Sequence, residues 1–133
     1  MDSRSFLQTG FVQWRRFEEG VERTAPQVKG VYAFRDPNQS ISGGTSDIVY
    51  IGRANGAQHT LQHCLREYLH PGHLQRTKLR VKQSALEGLW EISWKETENA
   101  AELEGQLLRD FVRENGKRPR ANRQTPNLRA LAG

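Results

Sequence analysis

The 133-residue chain contains a single cysteine and no apolar run of signal-peptide or membrane-spanning length. A lone cysteine excludes an intrachain disulfide, which fits a reducing compartment. The N-terminal stretch Met1-Asp2-Ser3-Arg4 leads into no apolar segment that would act as a signal or an anchor. Internal repeats and low-complexity segments are also lacking. From these absences we expect a cytoplasmic protein without a membrane partner.

Positive charge, in contrast, is in excess. The formal net charge is +5 at neutral pH, and the isoelectric point is about 9.8. A basic surface attracts polyanions, of which nucleic acid is the usual one, although a basic protein without such a partner is the simpler alternative. With 35% hydrophobic and 26% charged residues, the composition is that of one polar globular domain with a modest core.

Two short stretches organise the chain, Gly30-Val31-Tyr32 and Val49-Tyr50-Ile51-Gly52. Their β-branched and aromatic residues favour strands, which we predict over 30–35 and 47–52. The polar segment between them contains a Gly/Ser/Thr-rich stretch over 40–46 and predicts a hairpin loop of roughly ten residues. Such a loop is either a plain insertion or a flap that contacts a substrate.

The other elements follow from hydrophobic periodicity. Residues 89–96 alternate as a half-buried strand does, with Trp90, Ile92 and Trp94 on one face. Helical spacing is found in four segments: 11–19, 58–69, 74–86 and 100–114. The predicted fold is therefore α+β, with a three-stranded antiparallel sheet flanked by helices in the order β-β-α-α-β-α after an extra N-terminal helix. This order divides the chain into an N-terminal helical extension (1–27), a main domain (28–123) and a basic irregular tail (124–133).

The helix predicted over 58–69 has two distinct faces. Its apolar face is expected to pack on the sheet and comprises Leu61, Cys64, Leu65, Tyr68 and Leu69. Its opposite face carries His59, His63, Arg66 and His70. The i, i+4 spacing of His59 and His63 suits metal ligation, but Cys64 points away from them and no Cys-x-x-Cys is present. A solvated histidine face that touches nucleic-acid backbone is therefore preferred to a zinc site.

Glu104 falls within the apolar stripe of the last predicted helix, between Leu103 and Leu107. A carboxylate on a buried stripe costs several kcal/mol unless it is paired or binds a metal. One interpretation is a buried salt bridge to an arginine. The other is a metal-binding carboxylate, whose oxygen atoms suit Mg²⁺ or Mn²⁺.

Together, the GVY and YIG strings, the Leu103-Glu104-x-x-Leu107-Leu108 helix and the closing Pro119-Arg120-Ala121-Asn122 resemble the GIY-YIG nuclease family. The resemblance covers residues from about 28 to 122 and implies a metal-dependent endonuclease. It implies that Tyr32 helps to activate the attacking water and that Tyr50 positions the phosphate or that water. It further implies that Glu104 holds one Mg²⁺ or Mn²⁺ ion and that Asn122 ties the site together by hydrogen bonds. In β-proteins generally, two such tyrosines are simply strand-forming residues.

The chain departs from the family pattern at Cys64, where the family has an arginine that holds the scissile phosphate. Loss of such a charge commonly costs several powers of ten in rate. Another basic residue, such as Arg53 directly after the YIG string, could supply the charge. Alternatively, the domain binds nucleic acid with little or no cleavage, as an adaptor would, or Cys64 is a variant of an arginine-bearing parent.

The expected substrate is DNA, with RNA as the open alternative. Phosphate contacts without sequence readout are predicted for the basic side chains near the site, namely Arg53, His63, Arg66, Arg76 and Lys78. The sequence contains nothing that resembles a helix-turn-helix or a zinc finger, so specificity would require a protein partner or a homodimer.

Overall fold

The computed structural model describes residues 1–39, 41 and 46–122, which form an α+β fold, as predicted. The strands are β1 (Arg15–Arg16), β2 (Gly30–Arg35), β3 (Ile48–Ala54) and β4 (Glu91–Glu96). The helices are α1 (Ser3–Gln8), α2 (Leu61–Leu69), α3 (Arg76–Gly88) and α4 (Ala100–Asn115), and Val21–Thr24 form a short 3-10 turn. Part of the predicted hairpin loop (40 and 42–45) and the predicted basic tail (124–133, with Arg123) lie outside the described residues.

The sheet is antiparallel, with the strand order β1-β4-β2-β3. The prediction of three strands is therefore corrected, because the two-residue strand β1 pairs with the outer side of β4. β2 lies at the centre, where Tyr32 stands opposite Gly52 on one side and Trp94 on the other. β3 is the far edge, and its register skips Val49 between the pairs formed by Tyr50 and Ile48. Val49 is thus a β-bulge.

The helix predicted over residues 11–19 was wrong, because this segment is extended along the edge of β4. Val12 donates its N–H to the carbonyl of Trp94 at 3.0 Å, and Phe17 donates to that of Trp90 at 3.0 Å. The apolar residues 11, 12, 14 and 17 have helical spacing, but the unpaired backbone groups of β4 are satisfied by an extended neighbour. Paired in this way, the segment still buries Phe11 and Phe17.

A helix that was not predicted, α1, precedes this segment. Its first residue, Ser3, donates its backbone N–H to the buried Asp47 at 2.9 Å, and its hydroxyl donates to the same carboxylate. Arg35 lies 3.6 Å from Asp47 and completes the pairing of this buried charge. The N-terminal segment is therefore joined to the start of β3 through a single carboxylate.

Two apolar clusters cover the two faces of the sheet. On one face, Tyr32 and Phe34 of β2 pack with α2 and α3. On the other, Val31 and Ala33 pack with α1 and α4. The candidate site lies where β2, β3 and α2 meet, and α4 approaches it around the edge of β3. In the described part of the chain, no helix has both the length and the apolar character that a membrane span requires.

Candidate active site

Three tyrosine hydroxyls form one hydrogen-bonded row. Tyr68 of α2 lies in the middle, 3.1 Å from the hydroxyl of Tyr32, and donates to the hydroxyl of Tyr50 at 3.0 Å. A tyrosine hydroxyl has one proton, so Tyr32 is the donor to Tyr68, and the proton of Tyr50 is not used within the row. The chain has three tyrosines, and all of them are in this row. The sequence placed Tyr68 on the buried face of its helix but did not indicate this central role.

The glycines of both tyrosine motifs are required by close contacts. A Cβ atom on Gly52 would lie 2.5 Å from Cζ of Tyr32 and 2.6 Å from its hydroxyl. A Cβ atom on Gly30 would lie 2.7 Å from Cδ1 of Leu61, the first residue of α2, and would also collide with the carbonyl of Lys95. The two glycines therefore let the ring of Tyr32 and the start of α2 approach the sheet backbone.

The environment of the row keeps its hydroxyls protonated. Burial raises the pKa of Tyr32 and of Tyr68 well above 10, and Tyr50 raises both further, whereas the hydrogen bond with Tyr68 lowers that of Tyr32. Burial also raises the pKa of Tyr50, an effect to which the nearby Glu104 carboxylate adds and which the charge of Arg80 opposes. At neutral pH the three groups therefore act as hydrogen-bond donors and acceptors and not as phenolates.

Glu104 lies at the edge of β3 and forms an ion pair with Arg53. Its Oε1 is 3.2 Å from the guanidinium of Arg53, and the glutamate side chain is 18% exposed whereas that of Arg53 is 49% exposed. Burial raises the pKa of Glu104, while Arg53 and Arg118 act in the opposite direction. The salt bridge to an arginine considered from the sequence is therefore present, but it lies at the surface and is not buried. A cation at Glu104 would compete with the more exposed Arg53 for this carboxylate.

Asn122 extends the edge of the sheet beside these residues. Its amide nitrogen donates to the carbonyl of Ile51 at 2.8 Å, and its amide oxygen accepts from the N–H of Ile51 at 2.8 Å. The preceding Ala121 donates its backbone N–H to the carbonyl of the bulged Val49 at 2.9 Å. The side chain of Asn122 thus bonds the backbone between Tyr50 and Gly52.

A cleft of about 420 Å³ opens beside Tyr32. Its lining includes Arg53, Cys64, Glu67 and Lys78. Cys64 is only 6% exposed, and burial raises the pKa of its thiol to about 11, so the position at which the family has arginine is neutral. Among the described lining residues the permanently charged cations are Arg53 and Lys78.

Lys78 reaches the cleft from α3. Its ammonium group lies 3.7 Å from Glu67 and 5.4 Å from the centre of the Tyr68 ring, and it opposes the rise in the pKa of Cys64. The sequence indicated Lys78 only as one of several basic residues on its helix. Its proximity to Cys64 depends on how α3 packs on α2, which local periodicity does not encode.

The other residues expected to bind nucleic acid, Arg66, Arg76 and His63, are not in the lining of this cleft. Arg66 is exposed on α2 and bonds Gln62 at 3.3 Å, and Arg76 is exposed at the start of α3. His63 lies beside Glu67, which lines the cleft, and its Nε2 is 3.3 Å from Oε2 of Glu67.

Comparison of the chain with protein-family models, with curated proteins and with solved structures finds no match in any of the three.

Proposed function

We propose that the protein is a GIY-YIG-type endonuclease that hydrolyses phosphodiester bonds in DNA with one Mg²⁺ or Mn²⁺ ion. The observation that supports this most strongly is the row of tyrosine hydroxyls, of which one member, Tyr32, packs on the glycine of the YIG string and lines a cleft with basic side chains. Strand-forming tyrosines without a further role need not share one hydrogen-bonded row beside a cleft.

The direction of the hydrogen bonds suggests different roles for the two strand tyrosines. Tyr50 has a proton that the row does not use and can donate it to a phosphate oxygen, which fits positioning. Tyr32 has already donated its proton to Tyr68, so its oxygen accepts a hydrogen bond from the attacking water. With its pKa raised, Tyr32 orients this water in its neutral form and is not a phenolate base.

Glu104 is the proposed metal ligand, and Arg53 is its partner in the metal-free protein. A divalent cation polarises the phosphate and stabilises the leaving oxygen. When a cation occupies Glu104, the guanidinium of Arg53 becomes free to contact the phosphate. Arg53 thus neutralises the carboxylate of Glu104 before the ion binds, and it neutralises the phosphate of the substrate afterwards.

Lys78 is the proposed substitute for the charge missing at Cys64. It shares the cleft with Tyr32 and Arg53, and its flexible stem can bring the ammonium group to a phosphate oxygen. An ammonium group binds phosphate as a point charge and lacks the two-point geometry of a guanidinium. We therefore expect a slower enzyme than one with arginine on α2.

The test is cleavage of plasmid and single-stranded DNA with Mg²⁺ or Mn²⁺. The unaltered chain is compared with Glu104→Gln, Tyr32→Phe, Lys78→Ala and Cys64→Arg. Glu102→Gln is the matched control, because Glu102 lies on the same helix but is exposed away from the site. The proposal requires cleavage by the unaltered chain and by Glu102→Gln, with loss of cleavage in Glu104→Gln.

A second candidate is a nucleic-acid-binding or adaptor module that does not cut. It is favoured by the buried, neutral thiol of Cys64. Cleavage by Cys64→Arg alone would mean that the scaffold is competent but that this chain only binds. Salt-dependent DNA binding without cleavage by any variant would also favour the module, and the absence of binding to both DNA and RNA would rule out both candidates. Substituting RNA in the same assays distinguishes the two nucleic acids.

A further inference from the structure

We propose that His59, His63 and Glu67 form a binding site for one transition-metal ion of the Zn²⁺ type, separate from Glu104. The three side chains each offer one ligand atom, and these atoms all lie within 4.8 Å of one another. The site goes beyond the proposed nuclease activity, because it is defined by its own ligands and does not require that Glu104 bind a metal.

The start of α2 brings the three side chains together. Thr60 is the N-cap residue, and its side chain accepts the N–H of His63 at 3.2 Å. Glu67 lies one helical turn beyond His63, on the same face of the helix. His59 precedes the cap, and the chain there folds back so that its ring lies 5.2 Å from the ring of His63. The helix begins at Leu61 and not at residue 58 as predicted, so His59 belongs to the bend that precedes it.

The spacing fits a metal centre. In a tetrahedral zinc site with ligand distances of about 2.0–2.2 Å, neighbouring ligand atoms lie about 3.4 Å apart. Nε2 of His63 and Oε2 of Glu67 are separated by 3.3 Å. The ligand atom of His59 lies within 4.8 Å of the other two, and it reaches the same separation when the exposed ring of His59 rotates. The protein thus holds one pair of ligands in place and leaves the third free to close on the ion.

The donor set selects the class of metal. Two imidazoles and one carboxylate suit Zn²⁺ and other late first-row transition metals, whereas Mg²⁺ prefers oxygen ligands only. The side chains of His63 and Glu67 are 36% and 27% exposed, so an ion can enter from solvent. Three protein ligands leave a fourth position open, as in catalytic zinc sites.

Two neighbouring side chains hold the carboxylate of Glu67 in position to bind the ion. Gln75 donates to Oε2 of Glu67 at 3.4 Å, and Lys78 lies 3.7 Å from Oε1, the other oxygen. An ion bound at Oε2 therefore leaves the partner of Oε1 in place. His59 and Glu67 also line the cleft that contains Tyr32 and Cys64. The ion would add positive charge to the wall on which Cys64 is neutral.

The test is titration of the intact chain with Co²⁺ and Zn²⁺ in the absence of nucleic acid, followed by visible absorption and calorimetry. We expect one ion per chain and the intense Co²⁺ bands of a four-coordinate site, removed by Zn²⁺. His63→Ala and Glu67→Gln should each weaken binding by more than about tenfold. His70→Ala is the matched control, because His70 is the exposed C-cap residue of the same helix and pairs with Glu19.

Cys64→Ser should bind Zn²⁺ as the unaltered chain does, since the thiol is not among the ligands. The proposal is overturned if His70→Ala weakens binding as much as His63→Ala, if Glu67→Gln has no effect, or if Co²⁺ gives only the weak spectrum of an aqueous ion. Circular dichroism of each variant separates loss of a ligand from loss of the fold. DNA is absent, so the result is the same whether or not the protein cleaves it.

Discussion

The ring of Tyr32 in β2 lies directly on the backbone of Gly52, its partner in the edge strand β3. The glycine leaves the space that the ring and its hydroxyl occupy. The first tyrosine motif and the last residue of the second motif are therefore one packing unit. The site is built into the sheet itself and not into a loop above it.

Gly52→Ala should destabilise the protein and disturb the tyrosine row. The added methyl group would lie 2.5 Å from the Tyr32 ring, in a part of the sheet where little can move. Overpacking of this kind costs about 1–3 kcal/mol. The measurement is chemical denaturation of the variant beside the unaltered chain.

Gly105→Ala is the matched control for Gly52→Ala. Gly105 lies within α4, and its added Cβ would meet only the mobile end of Arg109, at 3.3 Å. Because alanine favours a helix interior over glycine by about 1 kcal/mol, this variant should be at least as stable as the unaltered chain. Equal destabilisation by both substitutions would contradict the close packing of Tyr32 on Gly52.

The tyrosines should resist ionisation. Burial raises the pKa of all three above the usual value of 10.0, so the native protein should show little tyrosinate absorbance at pH 10. The unfolded chain ionises there, because its tyrosines titrate near pH 10. A group with a raised pKa binds its proton more tightly in the folded state, so stability should fall as pH rises through and above 10.

Absorbance titration of native and urea-unfolded protein checks this expectation, and the chain suits it because the row contains every tyrosine. Tyr68→Phe should lower the free energy of unfolding at neutral pH by about 1–3 kcal/mol, because it removes both hydrogen bonds of the row at once. A native titration centred at pH 10 or below would refute the buried, hydrogen-bonded arrangement.

Arg53→Gln should affect metal binding and cleavage in opposite directions. Removing the guanidinium that pairs with Glu104 frees the carboxylate for a cation, so Mn²⁺ should bind more tightly, as measured by electron paramagnetic resonance. Cleavage should fall, because the phosphate loses a positive partner. The pair is partly exposed, so its loss should change the free energy of unfolding by only about 0.2–1 kcal/mol.

Arg109→Gln serves as the control for this prediction, since Arg109 is an exposed arginine of α4 that bonds Gln106 at 3.1 Å. Unchanged Mn²⁺ affinity in Arg53→Gln would show that Glu104 is not the site of the ion. Glu104 would then serve only as the salt-bridge partner of Arg53.

Cys64 should react slowly with iodoacetamide in the native protein and rapidly after unfolding. It is buried, and its pKa is raised to about 11, so little thiolate is available at pH 8. Mass spectrometry of native and urea-treated samples measures the difference. Fast native labelling would mean that the thiol is far more accessible from the cleft than its burial indicates.

The strands and long helices were predictable because each has a local signature. Trp90, Ile92 and Trp94 alternate as a strand does and are all buried, and the apolar face predicted for α2 is the buried one. The prediction was wrong for residues 11–19, because their conformation is determined by the open edge of β4, which is distant in sequence. Periodicity reports which face is apolar, but not which backbone groups need a partner.

The candidate site was predictable in part, for the same reason. Glu104 stood out because a carboxylate interrupts an apolar stripe, and the two strand tyrosines stood out by their motifs. Lys78 and Glu67 had no comparable signal, since charged residues on helices α2 and α3 are ordinary surface residues until the two helices are packed together. The central position of Tyr68 likewise depends on the distance between α2 and the sheet.

The side chain of Asn122 makes the two hydrogen bonds to Ile51 that a further strand would make, and Ala121 bonds the carbonyl of Val49. β3 is an outer strand, and outer strands invite pairing with a second molecule. The carbonyl of Val49 and both backbone groups of Ile51 are already occupied, so a second copy pairing along this part of β3 would first have to displace Ala121 and Asn122. A dimer that continued the sheet there would therefore form only at the expense of the contacts that hold Asn122 beside Ile51.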